Sequence, residues 1–342
     1  MPFTTTDPLY ELAMFPPFML NKLAEFLSSQ GIDCERLCRG LGFRRDDLYD
    51  PDIRVSYRQA DTMIKRGLEA LPDYPGLGLA VGNLNVLGTL GLVGHAAALS
   101  KNLQDAWEIC SRYQTLTGGM TQSQTTIADG VVYAQTLCRL PELPVQILCI
   151  EEVFASIVVY LRELGGEEIN PIKVELAYPA PAYTDRYSQI FQAPVEFNSE
   201  GNRLMIDAAV LDKELPGHDP VALKQILAIL ERELKNTTAT LDLAASVERV
   251  IIDSLQQRPT MAGVAVRMAM SERTLRRRLA DNGLSFEQLV DNARRLTAMN
   301  LIHNNDMAIE RVAELCGYGD SRSFRRAFRR WVSVGPREFR RG

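Results

Sequence analysis

The segment 293–340, ARRLTAMNLIHNNDMAIERVAELCGYGDSRSFRRAFRRWVSVGPREFR, decides how the rest of the chain is read. Leu296, Asn300 and Leu301 continue a helix that begins near Phe286, and Ile309, Val312, Ala313 and Leu315 form a short apolar stripe stopped by Gly317. A third helix starts at Asp320 or Ser321, either of which can cap it, with Phe324, Phe328 and Trp331 on one face. Its other face holds Arg322, Arg325, Arg326, Arg329 and Arg330. A short helix, a glycine-containing turn and an arginine-loaded helix form the pattern of a helix-turn-helix, whose second helix enters the major groove of duplex DNA.

The pattern occurs once more upstream, at 260–283. Val264, Ala265 and Met268 mark the first helix, and Ser271 caps the second. Leu275 and Leu279 turn inward, Arg273, Arg276, Arg277 and Arg278 point outward, and Gly283 supplies the left-handed residue at the end. Between the two units, Ser285 followed three residues later by Gln288 is a capping box that opens a helix of about 27 Å. That length holds two recognition helices roughly one DNA turn apart, about 34 Å.

Two such units joined by a helix resemble the DNA-binding domain of the AraC/XylS family of bacterial transcription regulators. The family signature is carried by Ile309, Val312-Ala313, Cys316-Gly317-Tyr318, Ser323-Phe324, Arg326, Phe328, Pro336 and Phe339-Arg340. Departures are Tyr318 and Phe339, where Phe and Tyr are usual, Ser333 where Gly is common, and Gly335 ahead of the proline. The resemblance implies a sequence-specific regulator, an activator working with RNA polymerase on promoter half-sites in direct repeat. On this reading Arg273, Arg276 and Arg277 enter one major groove and Ser321, Arg322 and Arg326 the next, because the exposed N-terminal part of a recognition helix reaches base edges. Arg329 and Arg330 contact phosphates, and Arg325 shares their face. Leu275, Leu279, Phe324, Phe328 and Trp331 belong to the core.

The whole chain of 342 residues has a net charge of −5, which conceals two opposite halves. Residues 245–342 hold 18 Arg, no Lys and 11 Asp and Glu, a balance of +7; residues 1–244 carry −12. The basic part suits phosphates and the acidic part does not. Six cysteines have no zinc spacing, and Cys34 and Cys38, four apart on a helix, read as reduced thiols in preference to a redox pair. Residues 1–7 are short and polar, unlike a signal peptide, and the apolar run 84–99 is too short and glycine-broken to span a bilayer. These readings place the protein in the cytoplasm.

The acidic part, 1–218, reads as α+β. Residues 17–70 are helical, a further helix covers 101–117, and 121–128 with 131–137 form a hairpin around Asp129-Gly130. An apolar helix covers 143–164, where Glu151 and Glu152 rule out a membrane span. A strand at 171–177, a helix at 183–191 and a final hairpin of 195–197 with 203–206 complete an antiparallel sheet. Gly76, Gly78 and Gly82 suggest helix packing through small residues, since no strand precedes them and no phosphate-binding Lys follows. Pro216 to Pro220 breaks the pattern. An amphipathic helix over 221–234 and a polar linker at 236–240 then lead to a DNA-binding domain over 241–342, with helix-turn-helix units at 260–283 and 308–331.

This first domain lacks the strands of a cupin barrel and resembles the other sensor type of the family, the arabinose-binding domain found in ornithine-utilisation and related regulators. The residues that carry the likeness are Asp50-Pro51-Asp52, the glycines of 76–82, Leu87-Gly88 with Gly91, Leu103 with Ala106 and Tyr113, Val195 with Phe197, and Leu211-Asp212 with Leu215-Pro216. It implies effector sensing and homodimerisation without naming the effector or its contacts. A ligand-free dimerisation or protein-interaction module is the alternative, favoured by a solid core where the first is favoured by an apolar cavity. No catalytic constellation, metal set or cofactor motif is present: His95, His218 and His303 are scattered, and His95 reads as a helical histidine in preference to a haem ligand.

Overall fold

Apolar spacing sets the first helices. α1 (Phe18–Ser29) buries Leu20, Leu23 and Leu27 at intervals of three and four. α2 (Cys34–Cys38) is capped by Asp33, and α3 (Tyr57–Ala70) opens on a reciprocal capping box between Ser56 and Gln59. α4 (Leu77–Asn83), α5 (Leu92–Ala98) and α6 (Leu103–Arg112) complete the helical layer. The computed structural model describes residues 10, 13–304, 307–332 and 334–340; the reading of residues 1–7, the departure at Ser333 and the side chain of His303 lie outside the described residues.

The glycines of α4 are there for packing. A Cβ on Gly78 would sit 2.3 Å from the carbonyl oxygen of Leu148, and one on Gly82 would sit 2.3 Å from that of Glu152. Both carbonyls belong to α7 (Leu143–Gly165), against which α4 lies backbone to backbone. By length and composition α7 could cross a membrane, yet half of its apolar window is buried in the fold. Phe154, Ala155 and Val158 are fully enclosed.

The sheet has five strands in the order β1-β2-β5-β3-β4. β1 (Thr121–Ala128) and β2 (Val131–Cys138) form the hairpin read from the sequence, and Asp129 and Gly130 between them both take positive φ, 50° and 74°. Two such residues twist the turn in the sense the strands require. β3 (Lys173–Glu175), α8 (Thr184–Phe191), β4 (Val195–Glu196) and β5 (Asn202–Asp207) follow. Here the expected final hairpin is corrected. β4 pairs with β3 in parallel, because α8 returns the chain to its starting direction, and β5 pairs antiparallel with both β3 and β2. The pairing buries Val132, Val174, Leu204 and Ile206 on one face of the sheet.

The chain divides into two compact units, residues 13–235 and 236–342. α9 (Pro220–Asp253) begins after Asp219, whose carboxylate accepts the N–H groups of Val221 and Ala222. Its first turns belong to the first unit: Leu223, Ile226, Leu227, Leu230 and Leu234 pack on Val93, Ala96, Ile109 and Tyr113. The sequence reading puts a polar linker at 236–240, but these residues are helical and part of α9. The Thr240 hydroxyl donates to the Asn236 carbonyl four residues back, 2.9 Å away, so a residue that favours loops is satisfied within the helix.

Candidate nucleic-acid interface and ligand cavity

The second unit is built on the last turns of α9, where Ala244, Val247 and Ile251 are buried. α10 (Met261–Arg267) is capped by Thr260, α11 (Glu272–Asp281) by Ser271, and α12 (Phe286–Asn304) by the Ser285 hydroxyl, which accepts the Gln288 N–H. α13 (Ile309–Leu315), α14 (Ser321–Val332) and α15 (Pro336–Phe339) follow. Asp320 accepts both the N–H and the hydroxyl of Ser323, each at 2.8 Å, and caps α14. These two bonds, with a smaller contribution from the Arg326 charge, hold its carboxyl below its ordinary range. Inside, Phe324 and Phe328 are fully buried with Trp331 packed beside them, and Leu275 and Leu279 are buried in the upstream unit.

The two turns are built alike. The Met270 N–H reaches the Ala265 carbonyl and the Tyr318 N–H reaches that of Ala313, at 3.0 and 2.9 Å. Between them Ala269 and Gly317 occupy the same left-handed position, φ 53° and 78°. Arg258 holds the second turn through a hydrogen bond from Nε to the Gly317 carbonyl, 3.2 Å.

Counted from the caps Ser271 and Asp320, the arginines fall on matching places. Arg273 and Arg322 stand second, Arg276 and Arg325 fifth, Arg277 and Arg326 sixth; all are exposed. The fifth position is engaged in both: Arg276 pairs with Glu272, and Arg325 with Glu310 at 2.7 Å. Arg330 is tied to Asp291 at 2.6 Å. Among the described residues, no ion pair engages Arg273, Arg277, Arg322, Arg326 or Arg329. Ser321 is half-buried at the start of α14. Arg325, Arg326, Arg329 and Arg330 also line an open concavity of about 580 Å³, joined there by Arg337. Arg337 is not singled out by the sequence reading; its signal is Pro336 ahead of it, which starts α15 and turns the chain back toward α14.

In the first unit, α6, α7 and the hairpin border a half-open cavity of about 160 Å³. Ala106 and Cys110 of α6 face Val153 and Ile157 of α7 across it, and β1 presents Thr121, Ser123 and Thr125. Short side chains on β1 leave the space that larger residues would fill. Elsewhere in this unit, Asn85 donates to Glu152 at 2.8 Å and to Ser156 at 2.6 Å. Glu151, on the neighbouring face of α7, accepts the hydroxyls of Tyr183 and Tyr187 at 2.9 and 2.5 Å. Burial pushes both glutamates up to about 7, although these bonds act in the opposite direction.

Residues 31–215 match the arabinose-binding N-terminal domain of AraC transcription regulators, and residues 264–342 match a helix-turn-helix domain. The chain belongs to the AraC family of transcription regulators. It is 25% identical over 331 residues to an ornithine utilization regulator of Pseudomonas aeruginosa, covering 96% of each chain. It is 28% identical over 333 residues to an uncharacterised helix-turn-helix transcriptional regulator of Mycobacterium tuberculosis, covering 95% of this chain and 96% of that one. The crystal structure of the transcriptional regulator CdpR from Pseudomonas aeruginosa shares the fold, with a TM-score of 0.50 at 23% identity over 95% of this chain and 98% of that one. Members of this AraC family are regulators of transcription and not enzymes, and their helix-turn-helix domain implies DNA binding.

Proposed function

We propose that this AraC-family chain is a sequence-specific transcription activator that senses a small molecule in residues 13–235 and acts in the cytoplasm as a homodimer, with RNA polymerase as its partner. One observation carries the DNA reading: the second and sixth residues after both caps are exposed arginines that no ion pair engages among the described residues. Arginine at the start of a recognition helix pairs with guanine O6 and N7. Arg273 and Arg277 are the base readers of one groove and Arg322 and Arg326 of the next. Arg276 and Arg325, already paired, support them, and Ser321 contributes a hydroxyl. Arg329, Arg330 and Arg337 face phosphates. The two readers match at the second and sixth positions and differ at the first, Glu272 against Ser321, so each half-site is asymmetric; that half-sites lie in direct repeat rests on the family resemblance.

The cavity between α6, α7 and β1 favours ligand sensing over a ligand-free interaction module, which a solid core would have favoured. Footprinting of the full-length protein on its own promoter tests the DNA reading. Two successive protected grooves per protomer are expected, with affinity falling when one half-site is inverted. A perfectly palindromic footprint insensitive to Arg273→Ala would remove the upstream reader. Sedimentation of the full chain at micromolar concentration tests the dimer, and a monomer with or without ligand counts against it.

A further inference from the structure

The cavity has a chemical character of its own. Among the described residues that line it, none is Asp, Glu, Lys, Arg or His. Five of its polar side chains are already engaged by the protein. Gln114 donates to the Ser111 and Ser123 carbonyls at 3.0 and 3.1 Å and accepts the Ser123 N–H at 2.9 Å. Trp107 Nε1 donates to the Thr125 hydroxyl at 3.0 Å, Ser123 is bonded to Thr136 at 2.8 Å, and Thr117 donates to the Gln114 carbonyl at 2.8 Å. The rest of the lining is mostly aliphatic and aromatic surface, with hydroxyls only on Ser111, Thr121 and Tyr160.

We propose that this cavity binds an uncharged, largely apolar small molecule, and not a sugar or an amino acid. The inference rests on the ligand-sensing reading above and narrows it. A cavity of about 160 Å³ is similar in size to an engineered apolar one that takes up benzene, roughly 150 Å³. An amino acid brings an ammonium and a carboxylate, and either would lie here without a counter-charge to offset its desolvation. A pentose brings hydroxyls on both faces of its ring, more than the three hydroxyls of Ser111, Thr121 and Tyr160 can partner once Gln114, Ser123 and Trp107 are engaged. Burial also pushes the Cys110 thiol up to about 12, which keeps the α6 wall neutral. The chemistry thus differs from the sugar for which the domain family is named.

Full-length protein titrated with octanol, methyl octanoate, octanoate, ornithine and arabinose decides the point. Trp107 lines the cavity and reports occupancy by fluorescence; Trp331, the other tryptophan, lies in the second unit as a constant background. Octanol and methyl octanoate are expected to shift the emission saturably and raise the melting temperature. Octanoate should bind about tenfold or more weakly. Ile157→Phe, which fills the cavity, should abolish the response, and Val153→Phe on the same wall serves if the first variant is unstable. Tighter binding of arabinose or ornithine than of octanol overturns the ligand class but leaves sensing intact. An octanol response that survives both filled variants overturns the site. If none of the five compounds binds, ligand class and sensing reading fall together.

Discussion

A Cβ placed on Gly317 would lie 2.3 Å from the carbonyl oxygen of Leu255, and Gly317 holds φ at +78°. The turn of the downstream helix-turn-helix is therefore specified twice, by conformation and by the approach of a second backbone. Gly317→Ala adds about 1–2 kcal/mol of left-handed strain to that steric overlap. The substitution is expected to lower the urea midpoint of the second unit and to weaken DNA binding while α14 keeps every arginine. A midpoint unchanged within error would show that Leu255 can retreat without cost.

Ala269 occupies the equivalent place in the upstream turn with φ +53°, and it is solvent-exposed. No Cβ-free residue is present there, so the strain is standing. Ala269→Gly should stabilise the second unit by roughly 0.5–1 kcal/mol, less whatever glycine adds to the freedom of the unfolded chain. Denaturant unfolding of the full chain reads this directly, and destabilisation would mean the methyl group makes a favourable contact.

Arg322 and Arg329 lie two turns apart on α14 and should fail differently. Arg322→Ala is expected to cost roughly 1–3 kcal/mol on the cognate site and to relax preference at one base pair. Arg329→Ala should weaken all sequences alike and reduce the slope of log K against log salt by about 0.9. Binding to a panel of single-base operator variants at several salt concentrations separates the two. Uniform loss for Arg322→Ala would move it to the phosphate class.

Glu151 and Glu152 give the first unit a pH response of definite sign. Folding raises both from an ordinary value of 4.5 to about 7, so across that interval the folded state holds the extra protons. Stability therefore falls as pH rises from 4.5 to about 7, and these groups add no further change above it. Each contributes a slope of at most about 1.4 kcal/mol per pH unit. Glu152→Gln retains an oxygen for Asn85 and should flatten that decline; melting temperatures of both proteins between pH 5 and about 8 check it.

Much of this was legible in the sequence wherever the signal is local. Asp129-Gly130 announced its hairpin, Ser285 with Gln288 and Ser271 announced their helices, and Phe324 with Phe328 announced a buried face opposite a basic one. The order of β3, β4 and β5 was not, because Val195 and Leu204 find their partners across the sheet and not across the short turn between them. The helical state of 236–240 was hidden by Asn and Thr, whose loop preference α9 overrides. At the basic face, composition found the arginines but could not tell that Glu272 and Glu310 engage the fifth position, since Glu310 comes from a different helix. The cavity was invisible because it is made by what Thr121, Ser123, Thr125 and Ala134 lack.

Three of those residues alternate along β1, an edge strand with one neighbour in the sheet. Only one side of its backbone is committed to a neighbouring strand, so no second strand constrains its position. Lengthening or shortening Thr121, Ser123 or Thr125 changes the room for a guest without touching Phe154 or the arginines of α14. A regulator built this way can acquire a new signal by small steps on one strand while continuing to address the same promoter.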